Sequence, residues 1–401
     1  MKPLLLLLLG LAPLLVVASA WAGSSAESRQ NAATDYVDRL VENISGVTEL
    51  LPRMIDLAQR GAEHLAKGGA LWLAGDKAFV LEGLNRAGGT MAAKWLKDPS
   101  DVASGDLVLF GATECDAPEH QTLLQACSRR GTLVVLFGPD SAPSSNPHFL
   151  PIPATTSGGD LLPTIYPALA AGLWAYTGEL VAALTRLGKM PPMYQSVLVP
   201  GGRERNAVHL KRQWEPETIA PIKPGILGRT YLARISNDLK DLRASQSGGF
   251  ARAGQLAARA IADGKTVWCE AVGHMPPEIL GKQGDPGICK QIRYGNAPDK
   301  LEGILQPGDV VLYVGYYEPF GPWVSTVHRC GGKIVTVVSG TPDRPALAMG
   351  ADVNIDPQWP FGDVTVDVPG YDTAILPPSG VIQCAAYYML LAQTQQAVDG
   401  P

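Results

Sequence analysis

One short stretch decides the fold because it occurs twice: residues 105–111 read Gly-Asp-Leu-Val-Leu-Phe-Gly, and residues 308–315 read Gly-Asp-Val-Val-Leu-Tyr-Val-Gly. The two Gly-Asp pairs are 203 residues apart. Two further stretches recur in the same order at nearly the same spacing, at residues 68–75 and 264–273 and at residues 129–136 and 330–337. Three matches at near-constant offset indicate a duplicated domain rather than a solenoid of short repeats.

The repeated stretches predict an α/β fold. Each is a continuous apolar run, and segments with helical periodicity alternate with these runs along the chain. Such strands are typical of a parallel sheet covered on both faces, so we predict two doubly wound, flavodoxin-like sheets related by internal duplication. The predicted domains are residues 34–190 and 230–396. Residues 191–229, which are rich in proline and weakly periodic, are predicted to be an irregular linker.

Long helices are predicted where apolar residues recur at three- and four-residue steps. The four longest cover residues 33–67, with a break near Pro52, and residues 164–187, 231–262 and 382–396. Residues 139–163 are rich in Pro, Ser and Gly and are predicted to be a loop. Two short apolar segments, at residues 351–355 and 364–368, are predicted to be edge strands of the second sheet.

The composition suits two ordinary globular domains. The 401 residues are 46% hydrophobic and 18% charged, and the formal net charge is −5 at pH 7. This balance excludes a disordered chain and argues against nucleic-acid binding, because no cluster of Lys and Arg is interleaved with aromatic residues. None of the six cysteines forms a pair with metal-ligand spacing, so we expect no metal and no cofactor. The cysteines are expected either as buried free thiols or as one or two disulfides.

The N-terminus has the pattern of an export signal. A basic start at Lys2 precedes an apolar run from Leu4 to Val17, and small residues follow at the positions that a signal peptidase reads. Residues 1–22 are therefore predicted to be a cleaved signal peptide, with an uncleaved membrane anchor as the alternative. Cleavage would leave a periplasmic or secreted protein without stable membrane insertion.

Several motifs resemble the sugar isomerase (SIS) domain family. The loop after the first strand reads Ala-Gly-Asp-Lys at residues 74–77, Glu82 follows in a helix, and Arg-Ala-Gly-Gly stands at residues 86–89. In the second half the matching loop reads Val-Gly-His-Met at residues 272–275, and Pro-Pro-Ser-Gly at residues 377–380 precedes the final helix. The resemblance implies five-stranded parallel sheets and phosphosugar ligands. The double arrangement is similar to the isomerase half of glucosamine-6-phosphate synthase.

The chain departs from this family at the turn after the second strand. Family members bind phosphate there with a Ser-rich turn at a helix start. Here residues 111–115 contain only Thr113 as a hydroxyl, beside Glu114, and residues 315–321 contain no Ser or Thr. Glu318 in the second turn would repel a phosphate. We therefore expect that the usual phosphate site is missing.

The resemblance also suggests roles for individual residues. Glu82 matches the position of a general base, and His274 matches the histidine of the strand-one loop, where open α/β sheets bind ligands. The alternative is an ordinary helix glutamate and a structural loop histidine. The remaining candidates for ligand binding are Asp76, Lys77, Thr113, Glu114, Glu318 and Ser379, of which Ser379 could instead cap the final helix.

Three functions remain open from the sequence. The first is an exported protein that binds a sugar or sugar derivative at the strand ends. The second is an aldose–ketose isomerase that uses Glu82 and His274, and the third is an interaction scaffold without a small ligand. A homo-oligomer formed through the long N-terminal helices is also possible.

Overall fold

The computed structural model describes residues 32–141, 146–155, 162–216, 219–282, 284–317, 322–343 and 350–400. The predicted signal peptide at residues 1–22 lies outside these ranges, and so does Glu318.

The first half of the chain forms one five-stranded parallel sheet. Its strands lie side by side in the order β2-β1-β3-β4-β5. The three central strands are apolar runs, as predicted, and all five residues of the third strand are buried. The strands are β1 (Leu71–Gly75), β2 (Ala93–Trp95), β3 (Leu107–Gly111), β4 (Leu133–Pro139) and β5 (Phe149–Ile152).

The second half forms a second five-stranded parallel sheet with the same topology. Its order is β7-β6-β8-β9-β10, so in both halves the first strand lies between the second and the third. The prediction of two doubly wound parallel sheets is confirmed, and the shared strand order supports an internal duplication. The strands are β6 (Val267–Ala271), β7 (Lys290–Ile292), β8 (Val310–Val314), β9 (Lys333–Val337) and β10 (Val353–Ile355).

Ten α-helices are found in the described part of the chain. The first half contributes α1 to α5, the linker contributes α6, and the second half contributes α7 to α10. The predicted break at Pro52 is confirmed, since α1 ends at Glu49 and α2 begins at Leu51. The helices are α1 (Ala32–Glu49), α2 (Leu51–Ala66), α3 (Lys77–Gly83), α4 (Pro118–Arg129), α5 (Ile165–Arg186), α6 (Gly202–His209), α7 (Ile226–Ala262), α8 (Pro276–Ile279), α9 (Trp323–Arg329) and α10 (Ser379–Val398).

The long helices of the two halves share one hydrophobic core. Helix α1 packs on α7 and α10, and α5 packs on α2 and α7. The core cluster contains residues from the inner faces of both sheets, so the helices form a common layer between them. Helix α5 is long and apolar enough to cross a membrane by length and composition, but its apolar window is entirely buried inside the protein.

The structure corrects several local predictions. The short edge strands β2, β5 and β7 were not predicted, and β5 lies inside the predicted loop at residues 139–163. Residues 364–368 are not an edge strand, because only Val366 makes an isolated antiparallel bridge there, to Ile375. The predicted irregular linker contains helix α6. These segments are short, so their structure depends on pairing with neighbours that are distant in sequence.

The amino ends of the strands have the same construction in both sheets. Asp106 accepts hydrogen bonds from the backbone N–H of Ala70 (2.8 Å) and from the indole of Trp72 (2.9 Å). In the second half Asp309 accepts from the backbone N–H of Thr266 and from the indole of Trp268, both at 3.0 Å. A lysine of the edge strand lies over each indole ring, Lys94 in the first half and Lys290 in the second.

All six cysteines are free thiols. Burial raises the pKa of each of them, most strongly for Cys269 and Cys384, which are fully buried. Of the two alternatives from the sequence, the structure has the free thiols.

Candidate functional site

A cavity of about 480 Å³ opens at the carboxyl ends of β6 and β8. Its walls come from three parts of the chain: the segment after α3, the linker and the loops of the second sheet. Ligands of open α/β sheets bind at this edge of the sheet. The lining residues are Asn85, Arg86, Ala87, Tyr194, Gln195, Ser196, Val197, Leu198, Arg203, Asn206, His274, Tyr316, Tyr317 and Asp363.

The floor of the cavity is a buried ionic cluster centred on Arg86. Its Nη1 lies 2.6 Å from Glu82 Oε2, and its Nη2 lies 3.4 Å from Asp363 Oδ2. Nη2 also donates to the hydroxyl of Ser379. The Arg86 side chain is only 1% exposed. This cluster joins the two halves, since Glu82 and Arg86 precede Asp363 and Ser379 by almost 300 residues.

Glu82 lies behind Arg86 and is completely buried. Its Oε1 accepts a hydrogen bond from the indole of Trp174 at 2.8 Å, while its Oε2 accepts from Arg86. Burial raises the pKa of Glu82, although the charge of Arg86 and the bond from Trp174 oppose that rise. Gly380 makes room for this carboxylate, because a Cβ there would overlap Glu82 Oε1.

Asp363 and Ser379 form the part of the cluster contributed by the second half. The Ser379 hydroxyl donates to Asp363 Oδ2 at 2.8 Å, and the Ser379 backbone N–H donates to Oδ1 at 3.1 Å. Burial raises the pKa of Asp363 against the opposing charge of Arg86. The carboxylates of Glu82 and Asp363 both lie at the start of helix α10, where the helix dipole favours negative charge.

His274 lies on the cavity wall, close to the cluster. Its Nδ1 lies 3.0 Å from the carbonyl oxygen of Leu81, which is next to Glu82 in the chain. Burial and the nearby charge of Arg86 lower the pKa of His274 to about 3. The imidazole is therefore neutral at pH 7, with its Nδ1–H donated to that carbonyl.

Two adjacent tyrosines after β8 form the aromatic wall. The Tyr317 hydroxyl donates to the carbonyl oxygen of Pro360 and accepts from the backbone N–H of Gly362, both at 3.0 Å. Tyr316 lies near Arg86 and Ser379, and burial raises its pKa well above the usual range.

The linker closes the remaining side of the cavity. Asn206 on α6 is bound twice to the backbone of Gln195: its Oδ1 accepts from the N–H at 3.0 Å, and its Nδ2 donates to the carbonyl at 2.8 Å. Arg205 holds the helix from another face, through Asp372 and Tyr371 of the second half. The predicted irregular linker is thus a fixed wall of the site.

At the matching strand ends of the first half, polar groups of the chain bind one another. There Asp76 Oδ2 accepts from both the backbone N–H and the hydroxyl of Thr113, at 2.7 and 2.9 Å. His120 Nε2 lies 3.5 Å from Asp76 Oδ1. A carboxylate of the chain therefore occupies the amide and hydroxyl of the turn after β3.

The other predicted site residues lie away from the cavity. Lys77 forms an ion pair with Glu278 of α8, at 3.1 Å between Nζ and Oε1. Glu114 is exposed on the first-half turn. Of the eight residues proposed from the sequence, Glu82, His274 and Ser379 are brought together, whereas Asp76, Lys77, Thr113 and Glu114 belong to other surroundings and Glu318 lies outside the described residues.

Sequence reasoning did not select several residues of the site. Arg86 belongs to the Arg-Ala-Gly-Gly motif, and its position four residues after Glu82 was the available signal for an ion pair. Nothing in the sequence marked Asp363 or Arg203. Within the described ranges, no group of three or more His, Cys, Asp or Glu side chains is placed to hold a metal ion.

Solved structures with the same fold confirm the expected SIS-type architecture. A candidate phosphosugar isomerase from Clostridium difficile 630 matches with a TM-score of 0.51 and 7% identity, over 92% of this chain and 93% of that chain. At this identity the likeness shows the fold alone.

Two further solved structures cover most of this chain at lower TM-scores. A tagatose-6-phosphate ketose/aldose isomerase from Escherichia coli has a TM-score of 0.47 and 11% identity, over 92% of this chain and 93% of that chain. A candidate sugar-binding protein from Salmonella typhimurium LT2 has a TM-score of 0.49 and 11% identity, over 91% of this chain and 99% of that chain. No family model and no curated protein matches the sequence.

Proposed function

We propose that the protein binds a sugar derivative in the cavity between its two halves. The observation that carries this proposal is the cavity itself, which has about 480 Å³ at the carboxyl ends of β6 and β8. Its volume falls within the range of small-molecule sites, roughly 300–1,000 Å³. The neighbours of similar fold named as sugar-binding proteins and phosphosugar isomerases agree with this class of ligand.

The lining has the mixture of groups that a sugar requires. Tyr316 and Tyr317 offer aromatic rings, against which the apolar face of a sugar packs. Asn85, Ser196 and Asp363 offer polar groups for hydroxyls. Polar groups of this kind orient a ligand, while the apolar surface supplies most of the binding free energy.

Binding is proposed to occur without the first-half phosphate turn of SIS domains. In that turn Asp76 already accepts both hydrogen bonds that Thr113 can donate to an anion. A phosphate in the same place would meet a negative carboxylate at close range, which is unfavourable.

The test is a cavity-filling substitution in the full mature chain. Ala87 lines the cavity, so Ala87→Leu should remove the thermal stabilisation that sugars and sugar phosphates give to the wild type. Ala207→Leu is the matched control, because Ala207 is exposed on α6 and outside the cavity lining. If no sugar stabilises the wild type, or if both variants respond as it does, the proposal is wrong and the scaffold function gains support.

Aldose–ketose isomerisation is the second candidate function. It is favoured by the raised pKa of Glu82, a property of a general base, close to His274 on the cavity wall. We rank it below simple binding because both carboxylate oxygens of Glu82 are hydrogen-bonded and Arg86 separates them from the cavity. Base catalysis would require Arg86 to move.

Hydrogen exchange at the sugar C2 position distinguishes the two functions. A general base that removes this hydrogen would exchange it with solvent deuterium, and proton NMR would record the loss of the C2 signal. Exchange in the wild type that disappears in Glu82→Gln would establish the isomerase. Sugar binding without exchange would leave the protein a binding protein.

We also propose that the protein is exported, on the strength of the basic start, the apolar run and the small residues within positions 1–22. Mass spectrometry of the protein expressed with its own N-terminus tests this. A mature chain that begins near residue 21 or 23 is expected. A full-length chain in the cytoplasmic fraction would refute it.

A further inference from the structure

We propose that Arg203, on the linker helix α6, binds an anionic group of the sugar derivative at the mouth of the cavity. This inference rests on the proposed function, since it assigns a chemical class to the ligand of the same cavity. It places the anion on a linker residue that lies outside both sheets, away from the turns that follow the second strands.

The charges that line the cavity single out Arg203. Three ionisable side chains with a formal charge line it: Arg86, Asp363 and Arg203. Arg86 and Asp363 neutralise each other within the buried cluster. Among the residues that the structure describes, the Arg203 guanidinium makes no ion pair and no hydrogen bond. Its charge is therefore available to a ligand, and it makes the cavity mouth positive.

Arg203 is carried by a firmly held element. Arg205, two residues later, makes four hydrogen bonds: Nε and Nη2 donate to Asp372, Nη2 also donates to the hydroxyl of Tyr371, and Nη1 donates to the carbonyl of Met193. Tyr371 in turn donates to Glu215 at 2.9 Å. A binding group on a rigid support loses less conformational entropy when its ligand arrives.

The helix geometry directs Arg203 to the cavity. Residues three apart lie on the same face of a helix, and Asn206, three residues after Arg203, also lines the cavity. Arg203 stands in the first turn of α6, where backbone N–H groups and the helix dipole favour an anion. The dipole adds to the guanidinium charge and is not the basis of the assignment.

The turns after β3 and β8 offer no alternative site for the anionic group. In the first half, Asp76 occupies the N–H and the hydroxyl of Thr113. In the second half, residues 315–321 provide no Ser or Thr hydroxyl. The planar guanidinium of Arg203 can hold either a phosphate or a carboxylate through two parallel hydrogen bonds, so the shared chemistry is an oxyanion.

Isothermal titration calorimetry with three groups of probes tests the assignment: hexose 6-phosphates, hexuronates and the neutral parent hexoses. In Arg203→Gln, affinity for the charged sugars that bind the wild type should fall by about 10- to 100-fold, since a hydrogen-bonded ion pair is lost. Arg203→Lys should retain part of that affinity because it keeps the charge. Affinity for the neutral hexoses should change less than about twofold.

Arg252→Gln is the matched control, because Arg252 is exposed on α7 and outside the cavity lining. Loss with phosphates alone, or with uronates alone, identifies the oxyanion. If the charged sugars bind Arg203→Gln as tightly as wild type, while Ala87→Leu abolishes their binding, the sugar binds in the cavity but the role assigned to Arg203 is wrong. If no probe binds the wild type, or if Ala87→Leu binds normally, the proposed function fails and this inference fails with it.

Discussion

The two halves of the molecule agree at the amino ends of their strands and differ at the carboxyl ends. At the amino ends each half has an aspartate that holds an indole and a strand N–H, Asp106 in one and Asp309 in the other. At the carboxyl ends the first half is filled by Asp76 on Thr113, whereas the second half has a cavity with His274 on its wall. The two halves therefore share the groups that hold the amino ends of the sheet and differ in the loops at its carboxyl edge.

The difference has a physical cause. At the amino ends, each aspartate accepts hydrogen bonds from backbone N–H groups. These N–H groups need an acceptor in both copies of the sheet, so both copies keep the same residue. The carboxyl ends are loops, whose side chains can change without disturbing the strands. The cavity beside His274 is nevertheless built by both halves, since Arg86 of the first half reaches Asp363 and Ser379 of the second.

The largest expected effect is a loss of stability when the buried ionic cluster between the halves is broken. Arg86→Met should lower the free energy of unfolding by about 3–5 kcal/mol at pH 7, because Glu82 and Asp363 would remain buried without their cation. Urea unfolding followed by tryptophan fluorescence measures it. The loss should be smaller at pH 5, since carboxyls with raised pKa values take up protons more readily in the folded state, and protonation removes the unpaired charge.

The double variant Glu82→Gln/Arg86→Met is the control for this prediction. Removing one of the two orphaned charges should recover at least about 1 kcal/mol relative to Arg86→Met alone. Equal stability of the single and double variants would show that the halves are joined by packing and not by the buried charges.

The next effect tests the similarity of the amino ends. Asp106→Ala and Asp309→Ala should each lower the free energy of unfolding by about 2 kcal/mol, because each leaves an indole N–H and strand N–H groups without an acceptor. The two losses should agree within about 0.5 kcal/mol and should add in the double variant. Denaturant unfolding of the three variants checks both points. Clearly unequal losses would break the proposed equivalence of the two ends.

An effect of similar size is expected in the pH dependence of stability, through His274 of the second half. Folding keeps His274 neutral, with a pKa of about 3 against about 6.5 in the unfolded chain. The unfolded state therefore binds more protons below pH 6.5, and stability is lost as the pH falls. Between pH 8 and pH 5 this loss should be about 2 kcal/mol. It is measured as the difference between wild type and His274→Gln, whose side chain does not titrate. The prediction is contradicted if the free energies of unfolding of wild type and His274→Gln change equally with pH.

The smallest expected effect concerns the filled turn of the first half. Asp76→Ala should cost about 1 kcal/mol of stability in phosphate-free buffer, since Thr113 loses its acceptor. It should also free the Thr113 N–H and hydroxyl for an anion. Inorganic phosphate should then shift the Thr113 amide resonance in two-dimensional NMR of the variant but not of the wild type. If the resonance of the variant does not move, Asp76 is not what keeps phosphate from this turn.

Much of the fold was predictable because its signals are local. The apolar runs at β3 and β8 recur with their Gly-Asp pairs, and the helical spacing located α5, α7 and α10. The edge strands were missed because β2 and β7 have three residues each and exist only through pairing with a neighbour. Likewise α6 carries a weak apolar face, and it is held in place because its Arg205 binds Asp372, which is distant in sequence.

The sequence by itself determined the duplicated α/β scaffold, since the periodicity of strands and helices is written in consecutive residues. It also selected Glu82 and His274, although without their surroundings. Only the tertiary structure decided that Arg86 lies between Glu82 and Asp363, that Asp76 fills one strand end, and that the linker closes the other. The contact of Arg86 with Asp363 joins residues 277 positions apart, and that of Thr113 with Asp76 joins residues 37 apart. Burial, which shifts the pKa values of the charged groups, exists only after the halves have packed together.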